Sequence, residues 1–326
     1  MNYEAFAEHV KELMKEHLPE GWEKAAKSIR RADKVNQKRI GLEFNRGDYY
    51  SPTIYMEEMY EHYEHGANLD EIVEMVSEIL VGLELPEKMK ITKATLGQKS
   101  DRIVFQLINT EENQALLSKM PHRSFEDLSV VYLWFISSDE NGLMTIPIEN
   151  SIASYFEYSE EQLFQLAYEN TKRLLPPVAK PMRQVIDEIV QGINMEIENE
   201  EALEKGAGFY VFTNEVKTFG AAAMLYPEVF EQIAEIQGDD LYILPSSRHE
   251  VITLPKSEME LEDVIELVEM TNETHTSVED ALSRQVYQYD QGTREITQAT
   301  HVPHRPFGEE KQEPNKEEVK ERNTSR

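Results

Sequence analysis

Apolar residues recur along the first third of the chain at two periods. Tyr3, Phe6, Ala7, Val10, Leu13, Met14 and Leu18 stand at helical spacing, and Pro19 and Gly21 close the element. Ile40, Leu42 and Phe44 alternate as a strand. Residues 49–55 continue extended, because Pro52 keeps its predecessor out of the helical region. A helix then carries Tyr55, Met56, Met59, Tyr60 and Tyr63 on one face and stops at Gly66. Asn68 and Glu71 form a cap-like pair for the next helix, whose apolar face is Leu69, Ile72, Val73, Val76, Ile79 and Leu80. The pattern predicts an α-β-β-α-α subdomain over residues 1–85.

The second region, 101–290, opens with a strand over 102–109 that is apolar on both faces and so predicted to be covered on both sides. A short helix follows over 113–120. Residues 129–136 are the most apolar strand, predicted to be central, and an Asn141-Gly142 turn leads to 143–148, where Pro147 implies an edge or a bulge. A Ser159-x-x-Gln162 capping box opens a helix ended by Pro176 and Pro177. Pro181 starts a joining helix, 181–194. Next come a strand over 209–214, a bent helix over 219–236 and a hairpin over 241–255. A Ser257-x-x-Glu260 box and a last helix, 277–289, complete the region. From Gln291 onward the chain is polar and charge-rich, which predicts a disordered, dispensable tail over 291–326.

Two segments, 102–175 and 209–274, read alike. Met120-Pro121 answers Tyr226-Pro227, and residues 125–128 answer 230–233. The predicted fold class is therefore α+β, a duplicated β-α-β-β-α unit with mixed sheets after the N-terminal block. A cleft between the copies is the natural ligand or partner site.

Charge narrows the function classes. Among 326 residues, 62 are acidic and 33 basic, a formal charge of -29. Such a field repels nucleic-acid backbones and anionic membranes and favours a basic protein partner. The absence of cysteine excludes disulfides, thiolate catalysis and Cys-ligated metal. No apolar run is long enough to span a bilayer, and the acidic, amphipathic start is unlike a secretory signal, so a cytoplasmic location is expected. No cofactor is predicted, and the oligomeric state is not readable.

The candidate chemistry concentrates at the tip of the 241–255 hairpin, where Ser246, Ser247, Arg248, His249 and Glu250 supply a nucleophile, a cation, a base and an acid. In an extended strand His249 and Glu250 point to opposite faces, so Glu250 cannot orient His249. Contact with a partner or ligand, or tying down of the turn after Pro245, outweighs catalysis by Ser247 and His249. Asn109 and Asn214 end equivalent strands, where they would line the cleft or cap a turn. Glu58, His62 and His65 share a helix face at a spacing able to hold a divalent metal, although a solvated face is the favoured reading.

Residues 51–55 (Ser-Pro-Thr-Ile-Tyr), 210–214 (Tyr-Val-Phe-Thr-Asn) followed by Gly220-Ala221, the Leu-Pro-Ser-Ser-x-His-Glu-Val-Ile run over 244–252, and Val-Tyr-x-Tyr-Asp over 286–290 carry a resemblance. The chain resembles an uncharacterised domain-of-unknown-function family found in low-GC Gram-positive, largely gut-dwelling anaerobic bacteria. The likeness covers most of residues 1–290 and implies no catalytic residue, cofactor or substrate. The favoured reading is a non-catalytic cytoplasmic binding or adaptor protein of bacteria, with a link to mobile elements left open. The alternatives are a hydrolase-like enzyme using the 246–250 tip and an acidic decoy of a DNA-binding protein.

Overall fold

A computed structural model describes residues 1–22, 25, 30–44, 53–82, 100–139, 142–153, 158–193, 208–245 and 247–308. The architecture is α+β, as the periodicities predict, and every strand pair among the described residues is antiparallel rather than mixed.

The N-terminal block contains α1 (Tyr3–Met14), a sheet of β1 (Arg30–Lys34), β2 (Gln37–Glu43) and β3 (Thr53–Tyr55), and helices α2 (Glu57–Glu64) and α3 (Leu69–Gly82). Its core gathers Phe6, Val10, Trp22, Leu42, Met56, Ile72 and Val76. The Asn68–Glu71 pair closes as expected. The Glu71 amide donates to the Asn68 side chain at 3.0 Å, and the Asn68 amide to the Glu71 carboxylate at 2.9 Å. Strand β1 is additional to the expected block, since its Arg-Arg-Ala-Asp-Lys sequence carries no apolar alternation. The β1–β2 turn ties this block to the rest of the chain. Asn36, at φ 56°, exchanges bonds with Asn113 at 2.8 and 2.7 Å.

Next come β4 (Ile103–Asn109), α4 (Gln114–Leu117), β5 (His122–Phe125), β6 (Leu128–Asp139), β7 (Gly142–Pro147), α5 (Asn150–Ala153) and α6 (Glu160–Leu174). β6 is central, with β4 along one edge and β5 and β7 end to end along the other. All seven residues of β4 are buried, since one face meets the main core and the other meets smaller clusters. The Ser159–Gln162 capping box forms at the start of α6.

The remaining elements are β8 (Pro177–Pro181), α7 (Met182–Ile193), β9 (Tyr210–Asn214), a 3₁₀ turn (Gly220–Leu225), α8 (Pro227–Gln237), β10 (Leu241–Leu244), β11 (Val251–Pro255), α9 (Leu261–Thr274), β12 (Tyr287–Asp290) and β13 (Glu295–Gln298). The sheet order is β13-β12-β10-β11-β9-β8. It shares one core with the β4–β7 sheet, stitched by aromatic pairs such as Phe125–Tyr287 (6.3 Å) and Phe105–Tyr226 (6.0 Å).

Four expectations change here. First, the two presumed copies differ in strand order. β4 pairs directly with β6, whereas β9 pairs with β11 and lies parallel to β10 across it. The similar local sequences also fold differently. Glu126, at φ 54°, turns the chain between two strands, while Pro227 opens a helix. The superposition of 102–175 on 209–274 therefore fails, and so does a cleft between copies. Second, residues 277–289 are not a helix. A turn at 277–280 and a buried polar segment lead into β12, where Tyr287 and Tyr289 alternate with Gln288 and Asp290. Third, Ser257 is not a helix cap. Lys256–Glu258 wind a 3₁₀ turn, and Glu260 precedes α9 without a side-chain bond. Fourth, residues 291–308 do not belong to a loose tail. β13 pairs with β12, Ile296 is buried, and the segment beyond binds Gln285 on both sides of Val302. Residues 309–326 lie outside the described residues.

Candidate functional site

The hairpin tip joins β10 to β11. Ser246 lies outside the described residues. Ser247 is buried, and its hydroxyl accepts the His249 amide at 3.0 Å, a local turn bond rather than a link to the imidazole. His249 stacks on Phe219, with centroids 5.9 Å apart and planes 14° from parallel. Its Nδ1 accepts the Phe219 amide at 3.2 Å, so Nε2 carries the ring proton and donates to Asp280 Oδ1 at 2.8 Å. Arg248 lies 5.3 Å over the Phe219 ring and pairs with the same Asp280 oxygen at 3.3 Å.

Backbone bonds complete the knot. The Arg248 amide donates to Asp280 O at 2.8 Å, the Ala221 amide to Arg248 O at 3.3 Å, and the Thr213 hydroxyl to His249 O at 2.8 Å. Gly220 lets the 3₁₀ turn press against this point. A Cβ there would sit 2.5 Å from His249 O and 2.6 Å from Thr213 Cα. Burial pushes the Asp280 carboxyl up, but hydrogen bonds from Ser277 and His249 and the charge of Arg248 outweigh it and hold the group below the usual carboxylate range. Glu250 diverges from His249 and borders a groove of about 760 Å³ over β8 and β9, together with Asn214, Lys180 and Lys217.

The two asparagines serve turns. Asn214 accepts the amides of Val216 and Thr218 and donates to Thr218 O at 2.7 Å. Asn109 accepts the Glu112 amide at 3.1 Å and donates to Leu282 O at 3.1 Å. They stand at different hollows, and the structure does not bring them together. Glu58 and His62 lie on α2 and His65 caps its end, where His65 Nδ1 lies 2.7 Å from Glu61 O. Among the described residues, no group of three or more His, Asp or Glu is placed to hold a metal ion, and no helix is long and apolar enough to cross a membrane.

A second hollow, of about 320 Å³, opens beside Asn109 and contains groups that the hairpin reading misses. Its walls include Glu126, Asp127, Arg284, His304 and Arg305. Asp127 accepts the hydroxyls of Tyr287 and Ser283, the latter at 2.7 Å. Burial, reinforced by the charge of Glu111, pushes its carboxyl above the usual range despite those bonds. Burial and the Asp127 charge likewise drive the Tyr287 phenol well above its ordinary value. Arg284 is 7% exposed. Its Nε donates to Arg305 O at 3.1 Å and its guanidinium lies 5.3 Å over the Phe307 ring, while Nη1 is buried with no hydrogen-bond acceptor among the described residues. Burial, then the neighbouring Arg305, lower its pKa from the ordinary guanidinium value. A sequence signal for this site exists in retrospect: Arg284 is a lone cation in a run that ends in the apolar–polar alternation of β12.

The whole is an α+β protein with a hydrogen-bonded hairpin knot and, lined by other residues, a small charged cleft. The chain belongs to the family of unknown function DUF5688, which matches residues 3–291. That span includes the knot, Asn109, Asp127 and Arg284, and stops short of His304, Arg305 and Phe307. No curated protein and no solved structure matches the chain.

Proposed function

We propose that this is a non-catalytic binding or adaptor protein in which the 247–250 knot is a structural clasp. The observation that carries the reading is the commitment of both His249 nitrogens, one accepting from the Phe219 amide and the other donating to Asp280. A general base needs a free nitrogen within reach of a nucleophile's proton. Here the Ser247 hydroxyl faces a backbone amide instead. The carboxylate that a hydrolase would need beside His249 is present as Asp280, but it completes a tie between the hairpin and the 277–280 turn, not a relay towards serine. The surplus of acidic residues supports a basic protein partner, and the motif likeness supports a bacterial, cytoplasmic setting.

The test is a broad esterase, phosphatase, nucleotidase and peptidase screen of the purified full chain. The expected result is no turnover that depends on the knot. Reproducible turnover lost in both Ser247→Ala and His249→Asn would overturn the reading in favour of the hydrolase-like alternative.

A further inference from the structure

The cleft at Arg284 has the makings of a ligand site. A guanidinium excluded from water and left with an unpartnered N–H is unfavourable unless an acceptor completes it. The Phe307 ring offsets part of that penalty but accepts no hydrogen bond in the plane of the fork. The chain supplies no acceptor for Nη1 among the described residues, although Glu112, Glu269 and Glu273 are near enough to raise the group's pKa. Glu112 is occupied with the Phe307 amide and His304, and Glu273 with Arg305. Arg284 lines the hollow, so an occupant there can supply the missing acceptor.

The other wall has the opposite character. Asp127 takes Tyr287 on one oxygen and Ser283 on the other, with its own backbone amide as a further donor, and a carboxylate has room for about four. Glu126 is exposed beside it, and Glu111 also borders the hollow. A bare anion such as phosphate would satisfy Arg284 but meet these three carboxylates. A simple cation would suit the carboxylates and leave Arg284 unpaired. A molecule with both charges satisfies both walls. The volume of about 320 Å³ lies at the small end of ligand pockets and suits a molecule of amino-acid size.

We infer that the cleft between Asp127 and Arg284 binds a small zwitterion of the α-amino-acid class, its carboxylate on Arg284 and its ammonium towards Asp127 and Glu126. This deepens the binding-protein reading and rests on it. Its failure is distinguishable, because turnover at the knot would defeat that reading whereas an empty cleft would defeat this inference alone.

Calorimetric titration of the full chain with each proteinogenic L-amino acid tests it, with inorganic phosphate and the N-acetylated and C-amidated forms of any binder as controls. The expected result is one-to-one, saturable binding of at least one free amino acid and loss of binding when either terminus is blocked. Arg284→Lys should weaken that binding by about tenfold or more, because one ammonium cannot reproduce the guanidinium fork. If Arg284→Lys fails to fold, Glu126→Gln, a change at an exposed residue, should still weaken binding several-fold. Absence of binding by every amino acid, equal binding of the N-acetylated form, binding of phosphate alone, or unchanged affinity in both Arg284→Lys and Glu126→Gln would overturn the inference.

Discussion

Replacing His249 by alanine removes three interactions at once. The Phe219 amide loses its acceptor at 3.2 Å, in a partly buried setting where an orphaned donor costs about 1–3 kcal/mol. Asp280 loses its bond at 2.8 Å but keeps Ser277 and Arg248, so this loss falls near the low end for charged hydrogen bonds, about 1.5 kcal/mol. The stack on Phe219 adds about 0.5–1.5 kcal/mol. The losses overlap, because Phe219 is held at φ 60° by the same contacts. The expected destabilisation is therefore about 3 kcal/mol, a fall in Tm of several degrees for a chain of this size. Urea unfolding followed by circular dichroism measures it, with the wild type and Ser247→Ala beside it. Ser247→Ala should lose only about 1 kcal/mol, since it removes one turn bond. The sequence alone leaves the tip either contacting a partner or ligand or tying down the turn, and the bonds of His249 favour the tie. A His249→Ala loss below about 0.5 kcal/mol would refute the clasp.

Three further outcomes follow from the same geometry. Gly220→Ala should destabilise by about 1–3 kcal/mol or more in thermal melts, because the new methyl meets the His249 carbonyl and Thr213 Cα as well as the Thr213 hydroxyl, which is itself bonded to His249 O; a neutral result would contradict the close approach. Truncation after Gln291 removes β13, exposes the partners of Ile296 and strips Gln285 and Val286 of their bonds, a loss on the order of 4 kcal/mol; melting equal to that of the chain ending at Gly308 would contradict the docked segment. The depressed Asp280 pKa contributes stability that is fully present above the unfolded carboxylate range and is lost as pH falls through the folded value, so Asp280→Asn should be less stable at neutral pH and show a flatter decline below about pH 4 in denaturation series. An unchanged slope would contradict the Asp280 ties.

Elements with local signals were legible. The reciprocal caps at Asn68–Glu71 and Ser159–Gln162, the double-faced burial of β4 and the central position of β6 all rest on residues within one turn or one strand of each other. The two outermost strands of the larger sheet were not. β8 begins and ends with proline, and β13 offers Ile296 as its one buried apolar residue, so neither shows alternation. The false repeat arose because a proline followed by Phe-Glu-x-aliphatic suits either a turn between strands or the first turns of a helix, and only distant pairing decides between them. The site was half legible for the same reason. The hairpin tip stands out in sequence, but Asp280, which gives His249 its role, lies 31 residues further on, and Asp127 and Tyr287 are 160 residues apart. Arg284 stands out locally only as a lone cation ahead of β12, and its significance, the acceptor it lacks, is set by distant residues.

The claim that the knot is a clasp rather than a catalytic centre stands on the His249 tautomer. A long-range proton–nitrogen correlation spectrum of the ¹⁵N-labelled full chain at neutral pH reads it directly, with His249→Asn assigning the resonance. The predicted result is a single Nε2–H tautomer whose Nδ1 is unprotonated and hydrogen-bonded, and whose ring signals do not shift on adding hydrolase substrates or transition-state analogues. An Nδ1–H tautomer, or an Nδ1 that changes its bonding when such a molecule is added, would contradict the account.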